Sequence, residues 1–96
     1  VGQARKRDAN ESAIIEAMEV FGVVVWPLSG AGVPDLLVSY RGRWTPMEVK
    51  SARGRLTRRQ IETRWRAGPI PIARTADEAI TILCTLQTDK RRRVAR

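Results

Sequence analysis

The chain has 96 residues, 43% apolar and 29% charged, with five prolines; this is the range of one ordinary globular domain and excludes disordered and collagen-like classes. Its 18 Lys and Arg against 10 Asp and Glu give a net charge of +8 and a pI near 11.2, a field that attracts a polyanion and makes nucleic acid the first partner to consider. With one cysteine and no histidine, internal disulfides, zinc fingers and histidine acid–base catalysis are excluded, so any metal must be held by oxygen.

The N-terminal VGQARKRDANES lacks the apolar core of a signal peptide, and no apolar run approaches the roughly 18 residues of a membrane span, so an intracellular location without a membrane partner is expected. RKR at 5–7 and KRRRVAR at 90–96 read as frayed, solvated ends or as phosphate-contacting arms. Between these tails, 1–7 and 88–96, lies a single domain core. Ile14, Ile15, Met18 and Phe21 recur at helical spacing, with Asp8 as candidate N-cap and Gly22 past the end, predicting a helix over 9–21. Residues 23–26 form a β-branched run stopped by Pro27, the first strand. Residues 35–40 and 43–50 are strand-like around the turn dipeptide Arg41-Gly42, predicting a hairpin. Pro46 lacks a ladder donor, so it confines its arm to a sheet edge or a bulge there. Thr57-Arg-Arg-Gln60 has capping-box form and predicts a helix over 58–67, ended by Gly68-Pro69. A fourth strand over 70–73 and a second capping box, Thr75-Ala-Asp-Glu78, opening a last helix to about residue 86, complete the order αβββαβα.

A two-residue loop at 41 and 42 sets Asp35 opposite Glu48, and a three-residue loop displaces the pairing by only one position. Alternation then puts Glu48 and Lys50 on one face and Met47 and Val49 on the other, so one face is charged and the other buries. Two carboxylates held together repel each other unless a divalent cation occupies the gap. Mg²⁺ prefers one or two carboxylates plus water and substrate oxygens, which such a pair offers, and Lys50 could stabilise developing charge or orient the attacking water. That constellation suits phosphodiester hydrolysis. A plain surface hairpin, with Asp35 at a turn and Glu48 paired to Lys50 on a wet face, explains the strand pattern equally well.

Other positions also admit two readings. Glu11 precedes Ile14, Ile15 and Met18 by three, four and seven residues and projects from the apolar stripe towards the sheet, yet Asp8-Ala-Asn-Glu11 has capping-box spacing. Gln60 is explained by its capping box without any site. Arg53, Arg55, Arg58, Arg59, Arg64 and Arg66 cluster around the second helix as phosphate-contact candidates or as a solvated basic face. Trp26, Trp44 and Trp65 read as core, although they could contribute to an interface, and no functional role is assigned to them.

The joint occurrence of Pro34-Asp35, a central turn and Glu48-Val49-Lys50 resembles the PD-(D/E)xK nuclease superfamily. More narrowly, RDANESAIIEAMEVFG, GVPDLLVSYRGRWTPMEVK, LTRRQ and ARTADEAITIL are similar, in that order, to stand-alone VRR-NUC domains of phages and bacteria. The resemblance spans about residues 7–84 and implies an α/β fold with an αβββαβ(α) core, a small mixed sheet flanked by helices. It implies that Asp35, Glu48 and the Val49 backbone carbonyl ligate Mg²⁺, with Mn²⁺ as the alternative ion, and that Lys50 assists the attacking water. It maps the family's first-helix acid onto Glu11, supporting the metal site, and its second-helix glutamine onto Gln60. The segment Ser-Ala-Arg-Gly-Arg between EVK and LTRRQ is shorter than in many relatives. A DNA endonuclease cutting branched, Holliday junction-like DNA as a homodimer in the bacterial cytoplasm, without a small-molecule cofactor, is therefore the expectation. A catalytically silent basic DNA-binding module, or a restriction-type nuclease sharing the chemistry, are the alternatives.

Overall fold

The computed structural model describes residues 10–94, with side chains over 10–87. Its elements are helix α1 (Glu11–Val20), strands β1 (Val24–Pro27), β2 (Leu36–Tyr40) and β3 (Arg43–Val49), helix α2 (Arg58–Ala67), strand β4 (Ile72–Ala73) and helix α3 (Ala76–Val94). The order matches the prediction from periodicity and caps. The strands form one four-stranded mixed sheet, ordered β1-β2-β3-β4, antiparallel over the first three and parallel between β3 and β4. The fold is therefore a small α/β domain.

The β2–β3 hairpin closes through two residues, Arg41 at φ 51° and Gly42 at φ 82°. Positive φ at both central residues is the turn whose twist matches that of the strands it joins. This loop length sets the register Tyr40↔Arg43 through Leu36↔Met47, which extrapolates to Asp35 opposite Glu48. Pairs alternate between bonded and non-bonded along the ladder, so Pro46, opposite Leu37, turns its missing N–H away from β2. On that side β4 reaches only Glu48 and Val49, so Pro46 sits where the strand has an open edge, and no ladder bond is lost.

One sheet face supplies the core. Leu36 and Val38 of β2, Met47 and Val49 of β3 and Ala73 of β4 are fully buried, together with Ile14 and Met18 of α1 and Ala79 and Leu83 of α3. Two helices cover this face; α2 is held differently. Its one buried residue is Gln60, and its ties to the rest of the chain include Thr63 Oγ1 donating to the Gly32 carbonyl (3.2 Å) and Arg64 Nη1 donating to the Ile70 carbonyl (2.6 Å).

Three expectations change. The capping role given to Asp8 lies outside the described residues. The N-cap position is taken by Asn10, which makes no side-chain cap bond: its amide nitrogen donates to the carbonyls of Lys50 (3.1 Å) and Arg74 (2.8 Å), and its Oδ1, the atom that would accept a cap bond, is buried without a hydrogen-bond partner. The last helix does not stop near 86 but runs to Val94. Lysine and arginine are good helix formers, no Gly or Pro interrupts them, and positive charge suits a helix C-terminus. The basic stretch 90–94 thus continues α3 rather than fraying from its start. The tryptophans, finally, are not core: Trp26 is 54%, Trp44 47% and Trp65 88% exposed.

Candidate functional site

Asp35 leaves the loop that joins β1 to β2 just before the β2 ladder begins. Pro34 restricts the backbone ahead of it, and the loop is gripped on both sides: the Leu28 N–H donates to the Asp35 carbonyl (2.8 Å), and α2 holds Gly32 through Thr63. Gly32 has φ 79°, a conformation suited to glycine, and a Cβ there would lie 3.6 Å from both the Arg59 Cβ and the Thr63 hydroxyl oxygen. The Asp35 side chain then takes over the ladder where backbone pairing ends. Its Oδ2 accepts the Val49 N–H at 2.8 Å, and the residue is 6% exposed. In an extended strand one residue's N–H and C=O address the same edge, so the Val49 carbonyl opens towards Asp35.

Glu48 lies on the β3 face opposite Met47 and Val49. The plain surface-hairpin reading, with Glu48 and Lys50 paired on a wet face, fails at the far end of the strand. Trp44 and Pro46 are exposed, but Glu48 is 2% and Lys50 9% exposed. At Glu48 the partner is α2, whose Gln60 Nε2 donates to Glu48 Oε1 at 3.1 Å. Gln60 also completes the capping box: its backbone N–H donates to Thr57 Oγ1 (3.2 Å), and its Oε1 accepts the Thr57 N–H (2.8 Å). Cap and site were alternatives in the sequence, yet one amide group serves both, its oxygen closing the helix and its nitrogen orienting the acid. This division also fixes the amide's orientation, because only the nitrogen can donate to a carboxylate.

Burial pushes the Glu48 carboxyl up from 4.5 to about 7, Asp35 adds to the rise through hydrogen bonding and like charge, and Lys50 draws it back. The pair therefore resists carrying two negative charges by itself. Lys50 directly follows the last residue of β3, its N–H donating to the Ala73 carbonyl (3.1 Å) and its carbonyl accepting from Asn10. That bond docks the start of α1 at the end of β3. Glu11, the next residue, is 4% exposed, so it faces inwards as its place in the apolar stripe suggested. Among the described residues, however, no three Asp, Glu, Cys or His side chains gather into one metal-ligating cluster. Asp35 and Glu48 are brought together as a pair through their side chains, and Glu11 lies buried at the start of α1.

The six arginines divide. Arg53, Arg55, Arg59 and Arg66 are exposed, and Arg58 is exposed with a weak pairing to Glu62 at 3.7 Å. Arg64 is half-buried and bonded to the Ile70 carbonyl, so it fastens α2 to the segment before β4 instead of facing a ligand. The short segment after Lys50 is a folded turn, closed by Gly54 N–H to the Ser51 carbonyl (3.0 Å). Arg74 clamps it, donating through Nη1 to the carbonyls of Ser51 (2.6 Å) and Gly54 (2.7 Å). Asn10 and Arg74 are the positioning residues that sequence reasoning missed. Each acts on carbonyls 20 to 64 residues away, and no local pattern marks such a bond; the only available signal was an amide of N-cap type just before α1.

Two buried acids, a nearby lysine and an oxygen-only donor set suit a hard cation such as Mg²⁺, which binds through one or two carboxylates and keeps several waters. Comparison of the chain with protein-family models, with curated proteins and with solved structures finds no match. Among the described residues, no helix is long and apolar enough to cross a membrane.

Proposed function

We propose that the protein is a divalent-metal-dependent DNA endonuclease of the PD-(D/E)xK type, its motifs resembling those of stand-alone VRR-NUC domains. The observation that carries this reading is the buried Asp35–Glu48 pair beside Lys50 in a chain of net charge +8. A buried pair of acids that raises the Glu48 pKa to about 7 costs stability unless a cation joins it, and a basic surface brings phosphate to such a cation.

Asp35, Glu48 and the Val49 carbonyl would hold the ion, Mg²⁺ or Mn²⁺. When bound, it would polarise a phosphoryl oxygen and lower the pKa of a coordinated water. The chain's own groups do the rest. The Val49 N–H fixes the Asp35 carboxylate, and Gln60 fixes Glu48 and reports its position to α2 through the capping box. Lys50 places a positive charge beside the reacting phosphate, where charge develops in an in-line displacement. Glu11, buried at the start of α1, supports the water side of the site. Arg53, Arg55, Arg58, Arg59 and Arg66 receive the flanking backbone. Branched DNA as substrate and a homodimer offering two sites to two strands belong to the same proposal, on the strength of the motif resemblance.

The test is cleavage of synthetic junctions, flaps and linear duplexes with Mg²⁺ or with EDTA. Cutting is expected only with metal and is lost in Asp35→Asn and in Lys50→Met. Metal binding is read separately by titration calorimetry, where Asp35→Asn is expected to abolish the Mg²⁺ signal. Cutting that persists in both variants, or a wild-type protein that neither binds metal nor cuts any substrate, would leave the basic DNA-binding module as the answer.

A further inference from the structure

The sheet face that carries Asp35, Glu48 and Lys50 is uncovered over its other half. Alternation and register place Val24 and Trp26 of β1, Leu37 and Ser39 of β2, and Trp44 and Pro46 of β3 on that half. Val24 is 51%, Trp26 54% and Trp44 47% exposed. The two indoles meet above β2 with ring centroids 4.7 Å apart and planes tilted by 47°. Exposed tryptophans of this kind, grouped with Val24 and Pro46, mark a surface that meets something.

Two features of the same face select the occupant. Trp44, Pro46 and Glu48 alternate on one side of β3, so Trp44 stands four residues, about 13 Å, from the candidate metal site along the strand. The face is bordered at that end by α2, whose ten residues carry four arginines and one glutamate. A second copy seated here would bring two chains of +8 and two arginine-rich helices together, whereas a nucleic acid strand neutralises both.

We infer that Trp26 and Trp44 form a stacking surface for an unpaired base of the strand whose phosphate enters the Asp35–Glu48 site, so that the substrate carries single-stranded nucleotides beside the cut. This rests on the nuclease reading. Bases inside a duplex are already stacked and cannot reach the indoles, while a splayed base presents its π-face to them whatever its identity. Any homodimer then uses another surface.

The experiment is fluorescence anisotropy of a labelled oligothymidylate and of a blunt duplex of equal length, in EDTA so that binding is read without cleavage. The double substitution Trp26→Leu with Trp44→Leu keeps apolar bulk and removes both π-systems; Trp26→Phe with Trp44→Phe restores rings. Oligothymidylate affinity is expected to fall on the order of 10- to 100-fold in the leucine pair, to recover largely in the phenylalanine pair, and duplex affinity is expected to stay unchanged. Equal oligothymidylate affinity in wild type and leucine pair overturns the inference, as does a sedimenting dimer that the leucine pair dissociates without loss of that affinity. Asp35→Asn, assayed for cleavage in parallel, separates the two claims: it abolishes cutting if the nuclease reading holds, whereas the leucine pair is judged by oligothymidylate affinity in EDTA, where no cutting occurs. Loss of cleavage in Asp35→Asn with unaltered binding in the leucine pair sinks the stacking surface alone.

Discussion

Glu48→Gln offers the sharpest perturbation, because the structure makes the same side chain costly for folding and necessary for the proposed chemistry. Burial and Asp35 raise its pKa from 4.5 to about 7. The folded protein therefore holds a proton that the unfolded chain releases between those values, so folding stability falls as pH rises through that window. The cost is absent below about pH 4.5 and complete above about pH 7, where it is on the order of 3 kcal/mol in the metal-free protein. Glutamine keeps the shape and offers Gln60 Nε2 an acceptor oxygen, but it carries no charge and removes this pH dependence. Urea unfolding followed by circular dichroism in EDTA, at pH 5 and pH 8, measures it. The difference between the variant and wild type is expected to shift in the variant's favour by on the order of 3 kcal/mol between the two pH values, equivalent to roughly 10–20 °C in Tm for a domain of this size. At pH 8, Mg²⁺ is expected to stabilise wild type and not the variant, which also loses cleavage. Parallel pH profiles for the two proteins would refute the reasoning, since the buried acid would then impose no charge penalty.

Gln60→Glu separates the two tasks of one side chain: the carboxylate still accepts the Thr57 N–H, so α2 helicity is retained by circular dichroism, while a second negative group facing Glu48 abolishes metal-dependent cleavage. Arg64→Ala is expected to destabilise by about 1–2 kcal/mol through the lost bond to the Ile70 carbonyl. Arg58→Ala with Arg59→Ala leaves stability nearly unchanged, by urea titration, and instead lowers DNA affinity and flattens its dependence on salt concentration. Arg41→Asn should raise stability by about 0.5–1 kcal/mol in thermal unfolding, because asparagine tolerates the left-handed conformation that Arg41 holds at φ 51°.

Much of the fold was legible because its signals act over a few residues. The capping box at Thr57 and Gly68 past the helix end set α2 at the predicted bounds, since both work through bonds spanning three or four positions. The two-residue turn at Arg41-Gly42 fixed the hairpin register, and with it the meeting of Asp35 and Glu48, because side-chain alternation admits no half step. The end of α3 was misjudged for the opposite reason: nothing local terminates a run of good helix formers, and the basic stretch carried the helix onwards.

By itself, then, the sequence determined the order of elements, the hairpin register and the pairing of two carboxylates, all products of short-range geometry. Only the tertiary structure decided that Glu48 and Lys50 are buried, because Gln60 reaches Glu48 from α2 while Asn10, Ala73 and Gly54 close around Lys50, contacts that come from other segments of the chain. It also decided that Asn10 ties α1 to the strand ends at Lys50 and Arg74, through bonds spanning 40 and 64 residues that no local pattern encodes. The same cause governs Trp26 and Trp44. Their composition suggested core, but α1 and α3 pack on the other sheet face, and a residue's burial is set by which face its neighbours choose to cover.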